Sequence, residues 1–452
     1  MSAAGRRGMN SVGARGPGEG AGAWSGAAGT GGAFGGGRSY DVVVVGGGPA
    51  GSTVATLLGG AGARVLLCDA AIFPRHKLCG EFLPPAALPI FDRLGVRGEV
   101  ERLRPRRHVG MAVIAPGGAR FLGRYGAGAP WGLAVRRFDL DAVLLQQARR
   151  SGATVLEGTR IADLSRAADG LWDLTLQRSA PGGTRSPSGE RPTDGGPPPQ
   201  VRARAIVGAD GRNSIVARRL GLRRADPHRR FAVMGHFEEV AGPADHGEMI
   251  VTPYGYCGIN PLPAGLANVC IVLDPDRPGG RPSGRAGLRA FFDEKIAADP
   301  LTRERMAPAR LVDRLRATGP ISCRASRVVD DAALLVGDAA GFFDPFTGEG
   351  IAMALRGGMM AAEMLLEALR RGDLSRAALR PYEAGRRAAF AARLRLDRLL
   401  QRILIRPRLA GWLGARLQGD PRLADLLACV AGDTADAREI LRPAFAARLL
   451  FG

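Results

Sequence analysis

The chain has 452 residues, an apolar fraction of 46% and a formal charge of +20, with 63 Lys and Arg against 43 Asp and Glu. That length holds two or three domains around a large core, and the composition is ordinary for a globular protein. The surplus charge is Arg scattered along the whole chain without an aromatic-interleaved basic patch, which excludes a nucleic-acid partner and leaves a phosphate-bearing cofactor or an anionic lipid surface to use it.

Residues 1–38 are rich in Gly and Ala, with scattered Arg and no apolar core of a secretory signal, so a disordered tail is expected there. From Tyr40 the pattern changes. A β-branched run over 41–45 predicts a strand; Gly46, Gly48, Pro49, Ala50 and Gly51 follow, and small residues over 52–60 predict a helix. A second strand, 64–69, ends in Asp69. Strand, Gly-x-Gly-x-x-Gly, helix and an acid about 20 residues on make up the dinucleotide fingerprint. Gly46 permits the tight turn, Gly48 admits a pyrophosphate, Gly51 lets helix approach strand, and Asp69 is placed to accept ribose hydroxyls.

The loop over 73–81 carries Arg75, His76 and Lys77 beside Cys79, and either overhangs a cofactor or is a solvated basic turn. A hairpin over 108–124, turning at Pro116, Gly117 and Gly118, suits a second, substrate-side sheet. Arg136 and Arg137 precede a predicted helix over 138–149, and 152–155 resumes the parallel sheet. Strands over 171–177 and 201–207 flank an insert, 179–200, whose Pro, Gly, Ser and Arg cannot bury enough surface to fold. The second of them runs into Asp210 and Gly211, a turn at a strand's carboxyl end, where open α/β sheets bind ligands.

Alternating strands over 231–238, 249–252, 256–260 and 267–273 suit an antiparallel sheet roofing a pocket, and with a helix over 288–298 they make a substrate domain, 226–318. Near Gly319 the chain returns to the first domain, which therefore comprises 39–225 and 319–375. There an apolar run ending at Val336 leads into Gly337 and Asp338, and the loop from Pro345 through Thr347 and Gly348 to Gly350 feeds a helix over 351–369. Gly348 and Gly350 clear side chains from the positive end of that helix, so backbone N–H groups meet an electron-rich ligand or the turn merely packs helix on sheet. Beyond Pro381, within a C-terminal region 376–452, the chain reads as helical. Over 384–417 it interleaves Arg with apolar residues, as in an amphipathic helix packed on its own domain or a peripheral membrane contact. The six cysteines form no C-x-x-C pair and no cluster, which tells against bound metal and for a reducing, cytoplasmic setting.

The turns 46–51, 208–211 and 337–350, each after a predicted strand, resemble in order and spacing the flavoprotein monooxygenase superfamily that includes para-hydroxybenzoate hydroxylase, geranylgeranyl reductases and flavin-dependent halogenases. The resemblance covers about residues 39–375 and is most specific at Gly337 and Asp338 with Pro345 to Ile351. It implies an α/β fold: a Rossmann-type FAD-binding domain with a parallel sheet, an antiparallel-sheet substrate domain and C-terminal helices. It also implies bound FAD, with Asp69 on the adenosine ribose, Asp338 on the ribityl chain, and backbone around Thr347 to Gly350 at the pyrimidine edge of the ring. Arg137 matches an arginine near the pyrophosphate, and Arg75 matches the arginine of the loop after the second strand. Asp210 and Gly211 match a pair associated with both FAD and the pyridine nucleotide, so NAD(P)H is the expected reductant.

Within the superfamily, Lys77 to Glu81 and Gly255 to Pro261 look most like geranylgeranyl-reductase-type proteins. Gly258 stands where those usually carry an aromatic, which predicts an enlarged or reshaped pocket. Tyr256 and Gly258 replace the tryptophans of the halogenase Trp-x-Trp-x-Ile-Pro stretch, which ranks halogenation lower. The expectation is an FAD-dependent monooxygenase or reductase of a small hydrophobic, natural-product or isoprenoid-like substrate, with Cys79 and Tyr256 either facing that substrate or packing. The rival is a flavin- or lipid-binding protein without turnover.

Overall fold

The computed structural model describes residues 38–126, 131–179, 199–243, 245–277, 287–344 and 346–451. Residues 1–37 of the predicted tail, all but the ends of the predicted insert, and Pro345 lie outside the described residues, and Arg38, expected in the tail, opens the first strand. At the centre is β1, Arg38–Val45, whose consecutive valines are buried on both faces, as a strand in the middle of a parallel sheet must be. It pairs in parallel with β2, Val65–Cys68, on one side and β3, Gln200–Gly208, on the other. Thr154–Leu156 extends the sheet beyond β2, and β4, Ala333–Leu335, extends it beyond β3.

Glycines set how closely the helices lie on this sheet. The helix α1, Pro49–Gly60, begins three residues earlier than the composition suggests, because Pro49 fits a first turn whose N–H needs no partner. A Cβ on Gly51 would lie 1.9 Å from the Gly46 carbonyl oxygen, so only glycine lets α1 start against the turn. Behind the sheet run α2, Arg137–Arg150, and α3, Gly350–Arg371. At Gly358 a Cβ would meet the Ala50 carbonyl oxygen at 2.7 Å, so α3 crosses α1 at that residue.

Two antiparallel strands, Thr159–Arg166 and Trp172–Arg178, pair with each other, and the second of them pairs with β3. The first escapes a reading by alternation. Its buried residues, Ile161 and Leu164, are three apart, because the pairing shifts register between Thr175 and Leu176 and such a bulge breaks the period of two.

The substrate-side sheet runs in the order Phe231–Glu238, Leu266–Leu273, Gly255–Pro261, Gly247–Thr252, Gly110–Ile114, Arg120–Arg124. Its pairs are antiparallel except Gly247–Thr252 with Gly110–Ile114. The early hairpin therefore belongs to this sheet. One face packs on Leu288–Ala297 through Phe237, Phe291 and Phe292.

The C-terminal region is helical from Arg376 rather than from Pro381. Ser375 caps α4, Arg376–Leu404, by accepting the Ala378 N–H, and Pro381 is held inside the helix. With α5, Pro407–Gly419, and α6, Pro421–Ala431, it packs on the hairpin, where Gly123 and Gly414 leave no room for a Cβ. All six cysteines are free thiols. Among the described residues no helix is long and apolar enough to cross a membrane.

Candidate functional site

A cavity of about 730 Å³ opens at the carboxyl ends of β1 to β4, and Gly48, Asp210 and Gly350 all border it. Three segments far apart in the chain thus meet around one space. Gly46 takes a φ of +107°, and a Cβ there would strike the Ala209 carbonyl oxygen at 2.4 Å, so the first turn is locked against the third strand's end. At Gly48 the opposite holds. A Cβ would find only Arg75 Nη2 within reach, at 3.8 Å, so this position is open to a ligand and faced by a guanidinium.

Each predicted residue can now be placed. Gly46, Gly48, Pro49, Ala50, Asp69, Arg75, Arg137, Asp210, Gly337, Asp338 and Gly350 border the cavity, whereas Gly51, Thr347 and Gly348 do not. Asp69 accepts the Gly47 N–H at 2.7 Å and the Ala71 N–H at 2.8 Å, which fixes its carboxylate at the rim. Arg75 stacks on Phe73, bonds Asp141 at 3.0 Å and stands 3.9 Å from Asp69. Arg137, the first residue of α2, grips Asp141 with two bonds of 2.6 and 2.7 Å. Burial works against the Arg137 charge, but Asp141 outweighs it and the guanidinium is held protonated. Asp210 accepts the Ile215 N–H at 2.6 Å, and its buried Oδ1 has no hydrogen-bond partner among the described residues.

Sequence reasoning placed Lys77 only within a loop that overhangs a cofactor or is a solvated turn; Lys77 borders the cavity, with no hydrogen bond or ion pair among the described residues. It is exposed, as a place on an open cavity wall allows, while the protein atoms around it remove enough water to lower its pKa against the pull of Asp338. With Arg75, Arg137, Arg160 and Arg218 it makes the wall cationic, opposed by Asp69, Asp210 and Asp338. A diphosphate suits such a wall.

Glu81 was also missed. It is buried at a φ of +58°, and its carboxylate accepts the Arg137 N–H at 2.8 Å and the Asn268 amide at 3.0 Å while meeting His236 Nε2 at 2.7 Å. Asn260 and Asn268 donate to the Gly80 and Cys79 carbonyls, both at 2.8 Å. The substrate-side sheet therefore clamps the loop that carries Arg75 and Lys77. Burial opposes a charge on His236, but Glu81 and Asp313 on its two nitrogens raise its pKa and favour the imidazolium.

Cys79 and Tyr256 border neither this cavity nor the apolar one described next. Cys79 Sγ accepts the Glu81 N–H, and Tyr256 is buried, donates to Asp344 at 2.7 Å and meets Phe346 edge to face. Both hold loops in place.

A narrower apolar cavity, about 80 Å³, lies between the substrate-side sheet and α4 to α6, with Met111, Phe121, Tyr125, Met249, Phe346 and Leu400 on its wall. Thr347 borders it too, so the loop ending at Gly350 stands between the two spaces. At Gly258, where an enlarged or reshaped pocket was expected, Met249, opposite it in the sheet, brings its side chain to 3.6 Å from where a Cβ would be.

The chain is similar to proteins of known kind over most of this architecture. It is 29% identical to conditioned medium factor receptor 1 of Dictyostelium discoideum across 76% of this chain and 66% of that protein. It is 30% identical to digeranylgeranylglycerophospholipid reductase of Methanoculleus marisnigri across 78% of this chain and 83% of the relative. Among solved structures, CmlS, a flavin-dependent halogenase, superposes with a TM-score of 0.67 at 26% identity, over 78% of this chain and 63% of CmlS. The chain thus spans slightly under two thirds of the first relative and of CmlS. Residues 39–396, which include all three turns around the large cavity, match the family described as FAD binding domain, and the chain belongs to that family.

Proposed function

We propose that the large cavity holds FAD with its adenosine end at Asp69, its diphosphate at Gly48, Arg75 and Arg137, its ribityl chain near Asp338, and its ring against the loop ending at Gly350. The convergence of 46–51, 208–211 and 337–350 on one cavity carries this reading. The open space at Gly48, and the Lys77 ammonium and Asp210 Oδ1 that have no partner among the described residues, each fit a polyanionic, hydroxyl-bearing ligand. Bound FAD supplies the two-electron chemistry. The chain's own part is to bind and orient it: the cations offset the diphosphate, and the amino end of α3 sets positive potential beside the pyrimidine edge of the ring. The apolar cavity is the seat of a hydrophobic substrate, and Phe346 and Thr347 separate it from the cofactor.

Reduction of an activated double bond, monooxygenation and halogenation all remain open to such a site. Halogenation, ranked lower on Tyr256 and Gly258, stands level with the others, because a halogenase and a prenyl-lipid reductase are both among the similar proteins. The reductant is NAD(P)H acting on this chain or reduced flavin delivered by a separate reductase.

Anaerobic mixing with NAD(P)H, followed by oxygen with and without halide, tests these readings. Bleaching and reoxidation coupled to a product is the expected result, and the product class separates the three reactions. Protein that stays yellow under every reductant and substrate would instead be a flavin- or lipid-binding protein without turnover.

The same region suits a peripheral membrane contact. Leu399, Ile405 and Trp412 are 43%, 42% and 40% exposed and Arg398, Arg402 and Arg406 are exposed in the same stretch of chain, an apolar and cationic mixture that anionic lipid complements. Co-sedimentation with phosphatidylglycerol vesicles should be weakened by salt and by Trp412→Ser with Leu399→Ser. Equal recovery with neutral vesicles would refute the contact.

A further inference from the structure

At the ring end, a carboxyl from the C-terminal helices reaches the loop that the FAD reading sets against the flavin. Asp397 of α4 is buried, and the Thr347 hydroxyl donates to its Oδ1 at 3.2 Å. Asp397 has no ion pair, and Thr347 is its one hydrogen-bond partner among the described residues. Its charged neighbours are committed elsewhere. Asp344 binds Arg230, Tyr256 and Gln401, while Glu349 and Asp433 take Arg393. Arg386, Arg398 and Asp338 complete the surroundings without bonding to it. A void of about 20 Å³ bordered by Asp397, Thr347, Asp338 and Gly350 has room for a single water. Thr347 also borders the apolar cavity, and Asp338 and Gly350 border the large one. The Asp397–Thr347 pair therefore stands where three spaces meet.

We propose that Asp397 is a positioning residue that stores a proton at the ring end and sets the direction of the Thr347 hydroxyl. Ionised, Asp397 accepts the Thr347 hydrogen. Protonated, it donates to Thr347 Oγ1, and the Thr347 hydrogen turns toward the cofactor or substrate. Burial, reinforced by Asp344, pushes the Asp397 carboxyl up to about 7, so both states are populated near neutrality. The protonated state holds below that value and the ionised state above it.

The inference rests on FAD occupying the large cavity, and the test separates the two. The visible absorption of oxidised FAD bound to the protein is recorded from about pH 5 to about pH 9. Wild type should show one spectral step near pH 7. Asp397→Asn, whose amide does not titrate in this range, should show a single spectrum throughout. Thr347→Val should abolish the step and Thr347→Ser should keep it. A step that persists in Asp397→Asn or Thr347→Val, or none in wild type, overturns the role of Asp397 while leaving the cofactor reading intact. Protein that retains no FAD refutes both.

Discussion

Arg137→Ala is expected to lose bound FAD and about 3–5 kcal/mol of stability, the range for breaking a buried ion pair from one side. The guanidinium is a buried fork on Asp141, whose side chain is fully buried. Without it, Asp141 keeps only Arg75, at 3.0 Å, among the described residues, and that guanidinium is then drawn away from the ligand. The loss is thus double: a carboxylate stranded inside the protein, and a cation removed from the wall that faces the diphosphate. Arg137→Lys should fall between, since an ammonium keeps the charge but not the two-toothed geometry. Denaturant unfolding with flavin absorbance on the same samples checks both parts. A variant with wild-type unfolding midpoint would contradict the buried pair.

Gly48→Val is expected to do the reverse, sparing the fold and abolishing the cofactor. Gly48 precedes α1 in extended backbone, φ −71° and ψ −178°, a conformation that suits a β-branched side chain. The space for its Cβ holds nothing closer than Arg75 Nη2. The melting temperature should stay near wild type, while FAD affinity falls by about 100-fold or more, which is about 2.7 kcal/mol. Gly51→Val is the control, because its Cβ would collide with the Gly46 carbonyl and the protein should fail to fold. If both variants behave alike, the open and closed positions in this turn have been misread.

These contrasts bear on what the chain reveals before it is folded. The first strand, turn, helix and second strand were legible because their interactions are local: Gly46 bonds the Cys68 carbonyl and Gly47 bonds Asp69 within one short unit. The four strands of the substrate-side sheet were legible because they are short, almost wholly buried runs that pair with one another without a bulge. Thr159–Arg166 was not, since a bulge displaces its two buried residues. The role of Glu81 could not be read either, because its partners Arg137, His236 and Asn268 lie 56, 155 and 187 residues away. In α4 the interleaving of Arg with apolar residues marked an amphipathic helix without saying which charged residues face inward. Arg393 and Asp397 turn inward onto Glu349 and Thr347, and no periodicity distinguishes an inward charge from an outward one.

The measurement that bears most directly on one flavin site assembled from three distant segments is titration of apoprotein with FAD, followed by flavin fluorescence. Wild type should take up FAD at a single site per chain. Gly48→Val, Asp210→Ala and Asp338→Ala, one from each segment, should all weaken that same site. Failure of wild type to bind, or undiminished affinity in any of the three, would show that the segments do not share a ligand.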